Sequence, residues 1–256
     1  ADGRDTMSRN FYDRDGLLIG SLDGEGYLTE IVYDKAGQKV EEIAYAAKTS
    51  SAYWDAGSFD QLRASAAPTS GSNRRGRFVY DGQGFLRFAG DNAGQVTEYV
   101  YNKSDVEWSA IGLVRSTIRH AVAISTSDFT YDNVKALVAA NAANAANRTS
   151  WSVYDLAGRL SYAIDADGAV TAFTYDVMGN VIKSVVFAVQ RPTTSLPGWD
   201  EMASWCTANM SNAANRITRN WYTAGGDLRF TVDGENYVRR FDYDAEGRLT
   251  TEVFWS

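Results

Sequence analysis

The sequence predicts a mainly β protein, built as tandem four-stranded antiparallel meanders with short helices in the inserts between them. Three observations carry this reading. Tyr residues recur in pairs 21 apart, four times along the chain. Turn-forming Asp and Gly residues return every 10 or 11 positions, and the segments between them alternate in polarity as strands do.

The pairs are Tyr12 and Tyr33, Tyr80 and Tyr101, Tyr154 and Tyr175, and Tyr222 and Tyr243. Four residues after each Tyr stands a glycine: Gly16, Gly37, Gly84, Gly158, Gly179, Gly226 or Gly247. Tyr101 departs from this, with Asp105 in that place. Within each pair lies a second corner: Asp23-Gly24-Glu25-Gly26, Asp91-Asn92-Ala93-Gly94, Asp165-Ala166-Asp167-Gly168 and Asp233-Gly234-Glu235-Asn236. Asp-x-x-Gly suits a type I turn with a left-handed Gly closing it, the demand of a three-residue hairpin loop with a bulge. Asn236 fits the same place, because Asn tolerates positive φ.

Corners at this pitch leave six or seven residues between them, an ordinary strand length. Before the second Tyr, one face carries Thr29-Ile31-Tyr33, Thr97-Tyr99-Tyr101, Thr171-Phe173-Tyr175 and Arg239-Phe241-Tyr243. The other carries Leu28-Glu30-Val32, Val96-Glu98-Val100, Val170-Ala172-Thr174 and Val238-Arg240-Asp242. One face is aromatic and the other mixed, as in a sheet with one covered and one wetter face. Aligned aromatics are more often core than ligand platform, so the aromatic columns are expected to be covered. A fourth strand places Ile43 and Tyr45, Val185 and Phe187, and Val253 and Trp255 in register. In the second unit Ile118 and His120 join them once Gly112 replaces Asp105 as the counterpart glycine, with seven residues inserted around Val106–Ile111.

The inserts have another texture. Ser58-Phe59-Asp60-Gln61 reads as a capping box opening a helix that Pro68 ends. Asp128 to Asn147 is Ala- and Asn-rich, with Val134, Leu137 and Val138 at helical spacing. Trp199, Met202, Cys206 and Met210 recur likewise over Leu196–Ala214. Two inserts end alike, in Asn144-Ala145-Ala146-Asn147-Arg148 and Asn212-Ala213-Ala214-Asn215-Arg216, and all three prolines sit in inserts. The organisation is therefore residues 1–48 as unit 1, 49–73 as a helical insert, 74–122 as unit 2, 123–147 as an insert, 148–190 as unit 3, 191–215 as an insert and 216–256 as unit 4. About sixteen strands form one continuous array, each unit expected to bury its face against the next as solenoids do. Four units and three inserts suggest a segment of a longer repeat protein, an expectation that the native polypeptide mass tests.

Composition narrows the function. A net charge of −7 argues against nucleic acid, which is bound through Lys and Arg on phosphates. No run of 18 apolar residues exists, so no membrane span is expected, and the first residues lack the apolar core of a signal peptide. One cysteine, Cys206, cannot form an internal disulfide, and its helical spacing suggests burial.

With one histidine in the chain, multi-histidine metal sites are excluded. His120 could serve as a base beside Ser125, Ser127 and Asp128, but it stands in the register of Tyr45, Phe187 and Trp255. A ring stacked in a repeat column accounts for it. The acidic corners resemble calcium loops, yet from Asp165 the positions an EF-hand needs hold Ala169, Val170 and Asp176. Glu41-Glu42 and Asp200-Glu201 are adjacent pairs that point apart, unlike a glycosidase pair. No catalytic, cofactor or metal residue is assigned. The repeat positions Tyr12, Gly16, Tyr33, Gly37, Tyr80, Gly84, Tyr101, Tyr154, Gly158, Tyr175, Gly179, Tyr222, Tyr243 and Gly247 are read as structural. Trp54, Trp108, Trp199 and Trp205 lie in the inserted segments, and Trp54 and Trp199 are the candidate ligand contacts.

The runs YDRDGLL, YDKAGQK, YDLAGRL, YDVMGNV and YDAEGRL, with DGEGYLTEIVYD and DADGAVTAFTYD, resemble the YD repeats of Rhs proteins over about two-thirds of the chain. That family includes bacterial Rhs effectors, toxin-complex shells and teneurin-like shells. The resemblance implies a β-sheet spiralling into a shell around a toxin, in an extracellular or cell-surface bacterial protein. The chain departs from the family in lacking any Asp-Pro dipeptide, around which the self-cleavage region is built, and in its regular helical inserts. The expectation is a passive, non-enzymatic segment of shell wall, stalk or filament without a cofactor. Its partners would be neighbouring repeats or like subunits, with an enclosed toxin or a surface glycan as further candidates. The alternatives are an adhesin-like module recognising glycan or protein through the inserts, and a hydrolase dependent on His120.

Overall fold

The computed structural model describes residues 7–102, 112–124, 129–192 and 196–255. Core 1 holds β1 (Arg9–Tyr12), β2 (Leu18–Leu22), β3 (Leu28–Tyr33) and β4 (Lys39–Ala44); core 2 holds β5 (Arg74–Tyr80), β6 (Leu86–Gly90), β7 (Gln95–Tyr101) and β8 (Val114–Ala123). Core 3 holds β9 (Arg148–Tyr154), β10 (Leu160–Ile164), β11 (Val170–Tyr175) and β12 (Val181–Val186); core 4 holds β13 (Arg216–Tyr222), β14 (Leu228–Val232), β15 (Val238–Tyr243) and β16 (Leu249–Trp255). Strand order in the sheet follows the sequence, β1 to β16. The inserts carry α1 (Phe59–Ser65), α2 (Tyr131–Ala140) and α3 (Trp199–Asn209).

The corners form as their residues dictate. Gly16, Gly26, Gly37, Gly84, Gly94, Gly158, Gly168, Gly179, Gly226 and Gly247 all have positive φ, as does Asn236 at 69°. Gly112 has φ of 78° and precedes β8, so it is the counterpart glycine of core 2. The inserted residues before it lie outside the described residues. Register shifts mark bulges where the strands reach Tyr12, Tyr33, Tyr80, Tyr175, Tyr222 and Tyr243. Helix α1 opens on the expected capping box, with the Ser58 and Gln61 side chains bonded reciprocally to each other's backbone.

The chain divides into two compact units, residues 1–98 with 119–147, and residues 99–118 with 148–256. The division runs through core 2 and so does not follow the repeat boundaries. In the first unit, α1 covers core 1, where Leu22, Leu28, Ile43, Tyr45, Leu62 and Ala66 are buried together. Helix α2 covers Val79, Phe88 and Val96 with Val134 and Val138. In the second unit, α3 lays Met202 and Cys206 on Val153, Ile164, Val170, Val185 and Phe187.

Two expectations are corrected. Each of these cores buries its face mainly against the helix of the insert that follows it, not against the next core. The covered face is also the mixed one, with Leu28 and Glu30 buried, while Tyr33 and its equivalents on the aromatic face are only half-buried. The reason is shape. Phe59 fills the space that a Cβ on Gly20 would need, its ring 2.3 Å from that position, and Phe129 does the same at Gly90, at 2.4 Å. The inserts over cores 1 and 2 fit glycine hollows on the mixed face, α3 lays Met202 and Cys206 on the same face of core 3, and a helix covers whichever face it fits.

Candidate functional site

Three repeated devices are built from the motif residues. The first is the Asp of each corner. Its Oδ1 accepts two backbone amides, two and four residues ahead, at Asp13, Asp23, Asp34, Asp81, Asp91, Asp155, Asp165, Asp176, Asp233 and Asp244. The side chain and amide of Asn180 hold the Asp176 carboxyl below the usual carboxylate range, and the amide and guanidinium of Arg248 do the same for Asp244. Where Thr223 replaces Asp, its hydroxyl accepts only the Asp227 amide, at 3.1 Å.

The second device is a tyrosine latch. The hydroxyls of Tyr33, Tyr80, Tyr154, Tyr175, Tyr222 and Tyr243 donate to the carbonyls of Leu18, Lys39, Val114, Leu160, Val181 and Leu228, at 2.8–3.0 Å. Every acceptor stands two residues after a corner glycine. Each latch pins the end of one strand to the start of the strand before it. Tyr12 at the sheet edge is 59% exposed.

The third device is an asparagine clasp at the end of each insert. The Oδ1 atoms of Asn73, Asn147 and Asn215 accept the amides of Ala46, Ala121 and Ala188, at 2.9–3.0 Å. Their Nδ2 groups donate to Ala67, Asn141 and Asn209, closing the insert onto the sheet. Sequence reasoning noticed the repeated Asn-Ala-Ala-Asn-Arg but missed Asn73. The signal that could have found it is the shared Asn-Arg pair seven residues before Tyr80, Tyr154 and Tyr222.

His120 is buried, its Nε2 is 3.0 Å from Glu98 Oε2, and its Nδ1 has no partner among the described residues. Ser125, Ser127 and Asp128 lie outside the described residues, as does Trp108. In core 1 the equivalent pair is Tyr45 with Glu30, and Arg63 of α1 donates to Glu30 at 2.9 Å. Burial, then the bond to Glu30, pushes the Tyr45 hydroxyl up to about 12. Burial likewise pushes the Cys206 thiol up to about 11. Among the described residues no three His, Cys, Asp or Glu side chains gather as a metal would require.

The Trp54 ring packs over Gly26 within core 1, with its Nε1 donating to Thr49 at 2.9 Å. Trp205 meets Phe187 edge-on at 5.3 Å. Trp199 is 41% exposed and lies 6.1 Å from Tyr162. With Tyr154, Leu156, Arg159 and Asp200 it lines a cleft of about 580 Å³. No described helix is long and apolar enough to cross a membrane.

Residues 154–187 match the family described as RHS Repeat, so the likeness to Rhs proteins read from the motifs holds. The fold is similar to part of a chain in the structure of the Photorhabdus luminescens Tc holotoxin pore carrying a TccC3 mutation, with a TM-score of 0.53 at 16% identity, over 97% of this chain and 10% of that one. It is also similar to part of TcdB2-TccC3 without its hypervariable C-terminal region, with a TM-score of 0.51 at 16% identity, over 96% of this chain and 12% of that one. The chain thus spans about a tenth of the length of the solved chains it matches. No curated protein matches the sequence.

Proposed function

We propose that this chain is a passive structural segment of a large, secreted or cell-surface Rhs-like protein, forming part of a shell wall, stalk or filament. The observation that carries the reading is the tyrosine latch. It recurs in the same register within cores (Tyr33, Tyr175, Tyr243) and between a core and its predecessor (Tyr80, Tyr154, Tyr222). A hydroxyl that locks each strand to the one before it stiffens an array and does no chemistry. The solved Tc assemblies of like fold support a role in a multi-subunit toxin shell, with neighbouring repeats or like subunits as partners and an enclosed toxin as cargo. Electron microscopy of the full-length native protein tests this. A cage, stalk or fibre containing the repeat is expected, and a small globular particle with a turnover dependent on His120 would overturn it.

A second reading has one observation in its favour, the exposed Trp199 beside the cleft in the second unit. An exposed ring at a cleft suits stacking on a sugar, as an adhesin-like module requires. Glycan-array binding lost on Trp199→Ala, with the thermal transition unchanged, would favour it over the passive role.

A further inference from the structure

Core 2 departs from the repeat at Gly76, Phe78, Ala93 and Arg119, and all four line one cavity of about 710 Å³ in the first unit. Six residues before the first Tyr of a pair stand the equivalents Arg74, Arg148 and Arg216. The third residue of the second corner is acidic in the other cores, as Glu25, Asp167 and Glu235. Arg148 pairs with Asp167 at 2.8 Å and Arg216 with Glu235 at 3.4 Å. In core 2 that carboxylate is replaced by Ala93, and the exposed Arg74 has no charge partner among the described residues. Arg119 stands where the other cores have the apolar Ala44, Val186 and Phe254. It too is exposed, without a charge partner among the described residues.

Gly76 is the departure that the fold does not need. Its counterparts Ser8, Ser150 and Thr218 all carry hydroxyls. Its φ is not in the left-handed region, and a Cβ there would meet only the Phe78 ring, at 3.5 Å, an ordinary contact. Nor is there a bulge, since β5 pairs in step with β4 from Arg74 to Arg77, Gly76 facing Glu42. A glycine inside a strand costs stability. With strain, crowding and bulge removed as reasons, the remaining one is close approach by something outside the chain. Phe78, where the other cores have Asn10, Ser152 and Asn220, forms an apolar wall beside the gap, with the Lys39 ammonium 4.5 Å from its ring centre.

We propose that this cavity binds a short acidic glycan, its carboxylates on Arg74 and Arg119 and a sugar ring over Gly76.

The charge balance selects an anion. Arg75 is matched by Glu41 at 3.1 Å and Glu42 by Lys39 at 2.8 Å. The Asp91 carboxylate accepts the amides of Ala93 and Gln95 through Oδ1. Arg74 and Arg119 are the unmatched guanidiniums, and a guanidinium binds a carboxylate through two parallel hydrogen bonds. The volume is that of a small-ligand site. The side chains of Asn92, Gln95 and Thr97 also line it and offer donors and acceptors to sugar hydroxyls. An acidic peptide is less well served. Strands β4 to β8 are each paired on both sides, so an extended backbone finds no free amides or carbonyls to join.

The test probes an array of short uronate- and sialate-bearing glycans and their neutral counterparts with the whole chain. Acidic members alone are expected to bind, and calorimetric titration of the strongest should show saturable one-to-one binding. Gly76→Thr, Ala93→Asp and Arg119→Val each return core 2 to a residue that core 3 or core 4 uses at that place. Each should weaken binding by about tenfold or more, while the urea midpoint holds level or rises. Arg74→Gln, at an exposed side chain, is a further variant expected to weaken binding as much. Trp199→Ala should leave the affinity unchanged. The proposal is overturned if no acidic glycan binds, if neutral counterparts bind equally, or if affinity is indifferent to these core 2 substitutions. Tetraglutamate binding as tightly would assign the site to an acidic peptide instead, and loss of binding on Trp199→Ala would move it to the second unit.

Discussion

The Tyr154 hydroxyl bonds to the Val114 carbonyl, 40 residues earlier, whereas Tyr80 and Tyr222 bond to carbonyls 41 earlier. All three acceptors stand two residues after their corner glycine, so the latch keeps its register although Ala121 and Asn147 are 26 residues apart where Ala46 and Asn73, and Ala188 and Asn215, are 27 apart. Backbone geometry at the corner, not chain length, decides which carbonyl is met.

Removing one latch should cost the net worth of a hydrogen bond whose carbonyl is then left half-buried. Tyr154→Phe is expected to destabilise by about 0.5–1.5 kcal/mol, read from the urea midpoint at constant slope. Tyr12→Phe, at an exposed edge residue, should stay within about 0.5 kcal/mol. Equal effects at the two positions would remove the latch from the account.

Two corner glycines separate the cost of positive φ from that of crowding. A Cβ on Gly179 meets nothing within 4 Å, while one on Gly168 meets the Arg191 carbonyl oxygen at 2.2 Å. Gly179→Ala should cost about 1–2 kcal/mol from its left-handed backbone alone. Gly168→Ala should cost about 2–4 kcal/mol, because the insert must also move. Denaturant unfolding of the two proteins side by side decides it.

The corner residues Asp176 and Asp244 make stability depend on acid pH. The Asp176 and Asp244 carboxyls titrate below their ordinary value, so the folded state binds protons less readily than the unfolded chain. Their contribution is therefore complete above the unfolded value of about 4 and is lost as pH falls through the lowered folded values. Urea midpoints from neutral pH downward should drop in this window. The drop should shrink in Asp176→Asn with Asp244→Asn, and an unchanged drop would count against the corners as its source.

At the alkaline end Tyr45 acts in the opposite sense. Its folded value is raised to about 12, so the folded state holds its proton more tightly than the unfolded chain. The stability it contributes is present below about 10 and is lost as pH rises from there through 12. Tyr45→Phe should flatten this alkaline loss, followed by unfolding midpoints and by tyrosinate absorbance. A variant that loses stability as steeply as the parent would refute the assignment.

The strands, corners and inserts were legible because their signals are local. Positive φ selects Gly or Asn at the corners, Ser58 and Gln61 specify a helix start within four residues, and Gly112 announced itself by the register of His120 behind it. The Asn73 clasp was not legible, since its acceptors and donors lie both behind it in the insert and 27 residues away at Ala46. Nor was the fate of Trp54, whose indole is engaged by Thr49 and Gly26.

By itself, then, the sequence determined the pitch of the repeat, the sixteen strands and the positions of the three helices, because each is imposed by backbone conformation over a few neighbouring residues. Which face of the sheet is covered was decided only in three dimensions. A strand of period two offers both faces equally, and the choice fell to distant insert residues: Phe59 entering at Gly20, Phe129 at Gly90, and Met202 with Cys206 on core 3.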